Sequence, residues 1–415
     1  MISNFGPSSG SHKNNLVIKP FELKKKIDEG DDFFILDVRT KQEHDMWSIS
    51  YDKYKDSTLI PIDTIMQNES LKKLPKDKEI IAFCAHGQRS SMAAMALSSL
   101  GYNVKTVEGG MDGWSNLYDL ANVEIDNSLP LRIWQIRRIS KGCMSYLITS
   151  TVDKKATIID PTCNIDGIVD DLIAQYGLTI ERVIDTHLHA DHLSGSSKIA
   201  RKYNCDLILS SYENYNLTEL SGFDVQRVKL VKGGENFKLG DELEIKAIHT
   251  PGHTQGSISY LLNSNKQGNN SFSIDEPDKI NHTNALYLFA GDTIFVNGVG
   301  RPDLHNKAQE YTAMLYQTYK DYILELPTNV TLLPSHYSES FNHGKVISNT
   351  IDAVRNKLTG ISNSSDDFAA YVNSNIPPQP MNYEKIVKLN KNLVSCDQVY
   401  YRDLEAGPNS CGIKA

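Results

Sequence analysis

Between Val183 and Gly195 an apolar, strand-like run ends in His187-Leu-His189-Ala-Asp191-His192. Three imidazoles and a carboxylate packed this closely form a ligand set, because neutral imidazole and carboxylate suit divalent ions such as zinc and ferrous iron. Side chains alternate faces in an extended segment, so His187 and His189 are expected to point the same way. Asp191 and His192 follow where the chain turns into a helix expected over 193–203. A lone histidine is usually a surface or core residue, but this spacing at a strand end is not explained that way. Three further segments can complete a metal shell: His253 in the turn Thr250-Pro-Gly-His253, Asp292 closing Phe289-Ala-Gly-Asp292, and His336 closing Leu332-Leu-Pro-Ser-His336. Alone, Asp292 reads as a cap and His336 as a solvated side chain. In one chain, each ending a strand, they are hard to explain separately.

A second chemistry sits at Cys84. Glu79-Ile-Ile-Ala-Phe83-Cys84 reads as a buried strand and Ala85-His-Gly87-Gln-Arg89-Ser90 as a short loop. A helix follows, with Ala93, Ala96, Leu97 and Leu100 on one face and Gly101 as its stop. The thiol therefore lies where loop N–H groups and a helix N-terminus converge, an environment that stabilises a thiolate or persulfide anion. Most single cysteines are buried structural thiols, and that alternative stands beside the reactive one. The other cysteines, Cys143, Cys163, Cys205, Cys396 and Cys411, are scattered without a C-x-x-C pair. Neither a disulfide framework nor a cysteine zinc site is expected, and Cys411 reads as inert.

These sites need elements to hold them, and 415 residues suggest two or three domains. With 40% hydrophobic and 23% charged residues and a net charge of -8, the chain can bury a core and offers no basic field for nucleic acid. No apolar run nears the ~20 residues that span a bilayer, and the start of the chain lacks the order of a signal peptide. A cytoplasmic protein without a membrane partner is expected. Residues 1–14 read as a disordered lead-in. Phe33 to Arg39 reads as a buried strand, the polar stretch around 119–128 puts a domain boundary at 125, and strands are expected over 131–136, 144–148 and 156–159 before a helix over 168–176. Beyond the metal motif, strands and helices alternate in a mixed α/β pattern. Residues 263–283 read as a solvated hairpin loop, and the Pro-rich stretch from Ile376 as a wrap over the domain surface. His282, His305 and His343 fall outside the motifs, and Gly298-Val-Gly300 lacks the setting of a dinucleotide fingerprint.

Cys84-x-x-Gly87-x-Arg89, with Asp37-Val38-Arg39 upstream and Glu108-Gly109-Gly110-Met-Asp-Gly113-Trp114 downstream, resembles the single-domain rhodanese family over about 15–120. The resemblance implies an α/β sulfurtransferase module in which Cys84, with Arg89 in the same loop, carries sulfane sulfur as Cys84–S–S⁻. Where the family has Gly-His-Ile, this chain has Met46-Trp47-Ser48-Ile49.

The histidine and aspartate set resembles the metallo-β-lactamase superfamily over about 130–345. That implies an αββα sandwich with His187, His189, His253 and Asp292 around an inner metal position and Asp191, His192 and His336 around a second. Gly291-Asp292 followed by Gly298 to Asp303 looks like the branch that holds glutathione persulfide dioxygenases and glyoxalase II. In the dioxygenases a facial triad holds one ferrous ion, here His187, His253 and Asp292, leaving positions for persulfide and O₂. His189, Asp191, His192 and His336 would then orient ligands or water. Arg301 would bind substrate through a carboxylate, the alternative being a structural salt bridge with Asp303.

The expected architecture is an α/β rhodanese domain at 15–125, an αββα metallo-β-lactamase sandwich at 126–345 and an extension at 346–415 packed on the sandwich. The expected activity is oxidation of a small persulfide to sulfite at Fe²⁺, with sulfur transfer at Cys84. Two alternatives stay open: a glyoxalase II-like thioester hydrolase with two Zn²⁺, and a non-catalytic persulfide carrier or sensor. Partners are a small persulfide or thiol and O₂, and homo-oligomer formation is left open.

Overall fold

The computed structural model describes residues 16–49, 57–219, 223–265, 284–304, 307–337, 344–359, 363–407 and 411–414. The lead-in at 1–14, most of the 263–283 loop, and His282, His305 and His343 lie outside them. The chain divides into two compact units, up to Leu117 and from Tyr118 onward. No helix among the described residues is long and apolar enough to cross a membrane.

The first unit is a parallel sheet of β1 (Val17–Ile18), β2 (Phe33–Asp37), β3 (Thr58–Leu59), β4 (Glu79–Phe83) and β5 (Val104–Val107), in the order β1-β5-β4-β2-β3. The central strands are near-continuous apolar runs, as a sheet covered on both faces requires. Helices α1 (Pro20–Glu29), α2 (Lys41–Met46), α3 (Asn68–Leu71), α4 (Gln88–Ser99) and α5 (Gly110–Ser115) connect them. Ala93, Ala94 and Leu97 of α4 pack into the core with Leu36, Ile80 and Val104. Leu100, expected on that buried face, is instead 45% exposed, because it caps the helix after its last turn.

The second unit opens with β6 (Tyr118–Asn122), which pairs along its length with β7 (Leu131–Arg138). The unit therefore starts ahead of the expected boundary at 125. The polar residue that made this stretch look like a linker, Asp119, is buried in an ion pair with Arg137. With β8 (Cys143–Ser150), β9 (Lys155–Ile159), β10 (Thr179–Ile184), β11 (Asp206–Ser210) and β12 (Val228–Val231) these strands form a seven-stranded sheet, antiparallel from β6 to β9 and parallel from β9 to β12. Helices α6 (Asp166–Tyr176) and α7 (Ser196–Tyr203) cover it through Val169, Leu172, Ile199 and Ala200.

The facing sheet joins β13 (Asn236–Lys238), β14 (Leu243–His249), β15 (Ile258–Ser264) and β16 (Ala285–Gly291). After the short β17 (Ile294–Phe295) and β18 (Gly298–Gly300), β19 (Thr331–Pro334) and β20 (Asn349–Thr350) complete its far edge. The sheets meet where the Tyr146 ring packs edge-on to Phe289 and its hydroxyl donates to the Pro334 carbonyl at 2.6 Å. Helices α8 (Ala308–Thr318), α9 (Ile351–Leu358) and α10 (Ser365–Asn375) bury Leu315, Val354 and Phe368 on the outer face. The layers are helix, sheet, sheet, helix.

The tail is continuous with this sandwich. Its helices enter the core, α11 (Tyr383–Lys391) packs Ile386 against Leu193, and β21 (Gly412–Lys414) pairs with β18. Cys163 and Cys396 form a disulfide across 233 residues of sequence, against the expectation of none. No local spacing could reveal it, since the partners meet only when the tail folds back.

Candidate metal centre and sulfur-transfer loop

Strand β10 ends at Ile184, and the metal motif occupies the irregular segment before α7. The helix starts at Ser196 rather than Leu193 because the intervening N–H groups bond outward: Leu193 to Glu405 Oε1 at 2.7 Å, Ser194 to Asn390 Oδ1 at 3.0 Å and Gly195 to the Pro161 carbonyl at 2.6 Å. His187 and His189 are neighbours, with ring centroids 4.3 Å apart, but they serve different clusters.

His187, His253 and Asp292 form the first cluster, their ligand atoms within 4.8 Å of one another and all three side chains buried. Nε2 of each histidine lies 3.7 Å from Asp292 Oδ2. The other ring nitrogen of each is already used. His253 Nδ1 donates to the Arg301 carbonyl at 2.8 Å. Thr186 Oγ1 donates to Asp160 Oδ2 at 2.8 Å, so it accepts from His187 Nδ1 at 2.9 Å. Both tautomers are thereby set with a lone pair on Nε2. Burial, reinforced by His189 and His253, holds His187 well below the usual histidine range, and burial likewise lowers His253. Asp292 Oδ2 has no hydrogen-bond partner. Two neutral imidazoles and a carboxylate oxygen without a partner are a donor set that fits a divalent ion.

The second cluster, Cys143, Asp191, His192 and His336, is paired within itself except at His192 Nε2, which has no hydrogen-bond partner. His336 bridges two carboxylates, with Nδ1 2.6 Å from Asp292 Oδ1 and Nε2 3.0 Å from Asp191 Oδ2. His192 Nδ1 lies 2.9 Å from Asp191 Oδ1. Burial would lower both histidines, but Asp292 and Asp191 hold His336 well above its ordinary value, and Asp191 with Cys143 does so for His192. Burial and Asp191 push the Cys143 thiol up, yet His192 and His336 bring it down to about 7. Cys411, which sequence reasoning set aside, joins Asp292 and His336 in a third grouping.

His189 belongs to a fourth grouping with Asp160 and Asp185. Its Nε2 is 3.4 Å from Asp160 Oδ1, yet neither ring nitrogen is aligned for a hydrogen bond. Arg301 is fully buried, its fork on Asp303 at 2.7 and 2.8 Å, with further N–H groups donating to the carbonyls of Pro377 and Pro378. The guanidinium makes the salt bridge with Asp303 that stood as the alternative to a substrate contact, and meets the chain's own tail. Gly300 passes so close to the Asp292 carbonyl and His253 that a Cβ would collide.

In the first unit Cys84 follows β4 and is buried, its Sγ accepting from Gly87 N–H at 3.1 Å and from Ser90 Oγ at 3.5 Å. The start of α5 clamps the loop: Met111 N–H donates to the Cys84 carbonyl at 2.8 Å and Asp112 N–H to that of Ala85 at 3.1 Å. Gly110 makes this approach possible, since a Cβ there would meet the Cys84 carbonyl. Arg89 forks onto Glu43 at 2.9 and 2.5 Å. The segment that departs from the rhodanese pattern is tied in by Arg39, which donates to the Trp47 carbonyl at 2.5 Å.

Residues 19–117 match the rhodanese-like domain, and residues 140–266 match the metallo-beta-lactamase superfamily. The chain joins a rhodanese-like domain to a metallo-β-lactamase domain. Relatives of the second domain include the mitochondrial persulfide dioxygenase ETHE1 of Bos taurus, 26% identical over 253 residues, which covers 60% of this chain and 84% of the relative. Another is the probable polyketide biosynthesis zinc-dependent hydrolase BaeB of Bacillus velezensis, 26% identical over 192 residues, covering 46% and 71%. A crystal structure of a metallo-β-lactamase from Staphylococcus aureus subsp. aureus COL superposes with a TM-score of 0.52 at 25% identity, covering 63% of this chain and 72% of that one. The metallo-β-lactamase fold implies a metal ion, and the clusters above are its candidate positions.

Proposed function

We propose that the metallo-β-lactamase domain is a persulfide dioxygenase with one ferrous ion held by His187, His253 and Asp292, and that the rhodanese-like domain transfers sulfane sulfur through Cys84. The observation that carries this reading is the division of Asp292. Its Oδ2 is free toward the two neutral histidines, while its Oδ1 is taken by His336. A second ion would compete with His336 for that oxygen, and both ring nitrogens of His336 already face carboxylates. When bound, ferrous iron supplies the ability to activate O₂ and to receive a sulfur anion. The overall change consumes one persulfide, one O₂ and one water and yields the thiol, sulfite and two protons. The protein's share is to hold Nε2 of both histidines toward the ion through Thr186 and the Arg301 carbonyl, and to keep the surroundings dry.

In the first domain, Cys84–S–S⁻ can give its outer sulfur to sulfite, forming thiosulfate and restoring the thiolate. The Gly87 N–H and Ser90 hydroxyl that face Sγ stabilise negative charge there. Tethering the two activities raises the effective concentration of a shared intermediate. Similarity to the zinc-dependent hydrolase favours the competing reading, a two-zinc thioester hydrolase. Metal analysis of protein purified without air separates them: about one iron per chain is expected, and two zincs per chain with S-acyl-glutathione hydrolysis would overturn the proposal.

A further inference from the structure

Asn390 lies on α11, far in sequence from the metal motif and 5% exposed. Its Nδ2 donates to the carbonyls of His189 and His192, both at 2.8 Å, and its Oδ1 accepts from the Ser194 N–H at 3.0 Å. Chemistry fixes the amide's orientation, since a flipped group would set oxygen against two carbonyls and NH₂ against an N–H. One side chain thus satisfies three backbone groups of a segment that has neither helix nor strand of its own. We infer that Asn390 is a positioning residue of the metal centre, an assignment that rests on the metal reading above. By fixing the peptides on either side of Asp191, it sets the Asp191 carboxylate under His336 Nε2. His336 in turn holds Oδ1 of Asp292, whose Oδ2 faces His187 and His253. The chain of contacts runs from the tail helix to a metal ligand.

Helix α11 has anchors besides Asn390. The Cys163–Cys396 disulfide follows it, Ile386 packs with Leu193, and the Lys391 carbonyl accepts from the Asn216 N–H at 2.8 Å. Removing the carboxamide should therefore leave the tail docked while freeing the loop. The test uses the full chain and Co²⁺ as probe, comparing wild type with Asn390→Ala and Asn390→Asp. Asp keeps the acceptor for Ser194 but turns oxygen toward both carbonyls. Both variants should bind Co²⁺ about tenfold or more weakly and show a changed visible d–d spectrum. A lower Tm with wild-type Kd and spectrum would make Asn390 merely structural and overturn the inference. If neither variant folds, amide hydrogen exchange in the wild type decides: Ser194 should exchange as slowly as core-strand amides, and exchange at open-loop rates would overturn it. A wild-type chain that binds no Co²⁺ would overturn the metal reading and this inference together, whereas unchanged binding in the variants overturns this inference alone.

Discussion

Thr186 decides which nitrogen of His187 is free. Its hydroxyl gives its proton to Asp160, an aspartate that burial would push up but that His189, Ser335 and Thr186 hold below the ordinary range. The lone pair left on Oγ1 takes the Nδ1 proton of His187. Thr186→Val keeps the shape and removes this link, so metal affinity should fall about 10–100-fold with little change in fold. Equilibrium dialysis checks this, and unchanged affinity would contradict it. Asp292→Ala removes the one anionic ligand of the triad and should abolish retention of metal through purification. Arg301→Lys keeps a charge but loses the fork on Asp303 and contacts to the tail carbonyls, so unfolding free energy should drop by about 2 kcal/mol. Denaturant titration measures that loss, and an unchanged midpoint with a lowered kcat/KM would restore Arg301 to the substrate. The histidine motif, Asp292 and His336 were legible because each is a polar residue closing an apolar run. Cys143 carries no such signal: its part in the site comes from which strands become neighbours, and β8 meets the metal loop only in the folded sheet.

At the scale of elements, the tail is where sequence reading stopped short. Residues 346–415 read as an extension packed on the sandwich without named contacts, and Ile351, Val354, Phe368 and Val372 prove to be core residues of the second unit. Periodicity identifies such helices but not the face they cover. Strand β6 was hidden for a different reason, a buried charge whose partner lies on the next strand. The disulfide ties α11 and the turn after it to Cys163, so Cys396→Ser should lower stability by about 2–4 kcal/mol. Reductant should lower the wild type by a similar amount and leave the variant unchanged. Within the first unit, Arg89 holds the Glu43 carboxyl down to about 2 from an ordinary 4.5. A depressed carboxyl contributes stability above its unfolded pKa and loses it as pH falls through the folded value. The pair should therefore stabilise the unit above about pH 4.5 and stop doing so between there and about 2. Glu43→Gln should flatten that window in acid-unfolding curves, and an unaltered curve would show that the pair contributes nothing.

At the scale of the whole molecule, the proposal puts one chemistry on each of the two compact units and requires the two to separate genetically. Cys84→Ser should abolish sulfur transfer from thiosulfate to a thiol or cyanide while O₂ uptake on preformed persulfide persists. A persulfide detected by mass spectrometry on the serine variant would mean that another cysteine carries the sulfur. The two-domain order and the sandwich were legible through the family resemblances that the motifs carry. How the tail is bonded to the histidine loop was not, because that depends on contacts between residues some two hundred positions apart, such as Asn390 with His189 and Glu405 with Leu193. The central claim is that the His187, His253 and Asp292 site oxidises persulfide sulfur with O₂. An oxygen electrode with glutathione persulfide tests it most directly: O₂ consumption that requires persulfide, matches the sulfite formed and disappears in His253→Ala is the predicted result. No O₂ uptake by iron-loaded wild type, or uptake that persists in His253→Ala, would contradict it.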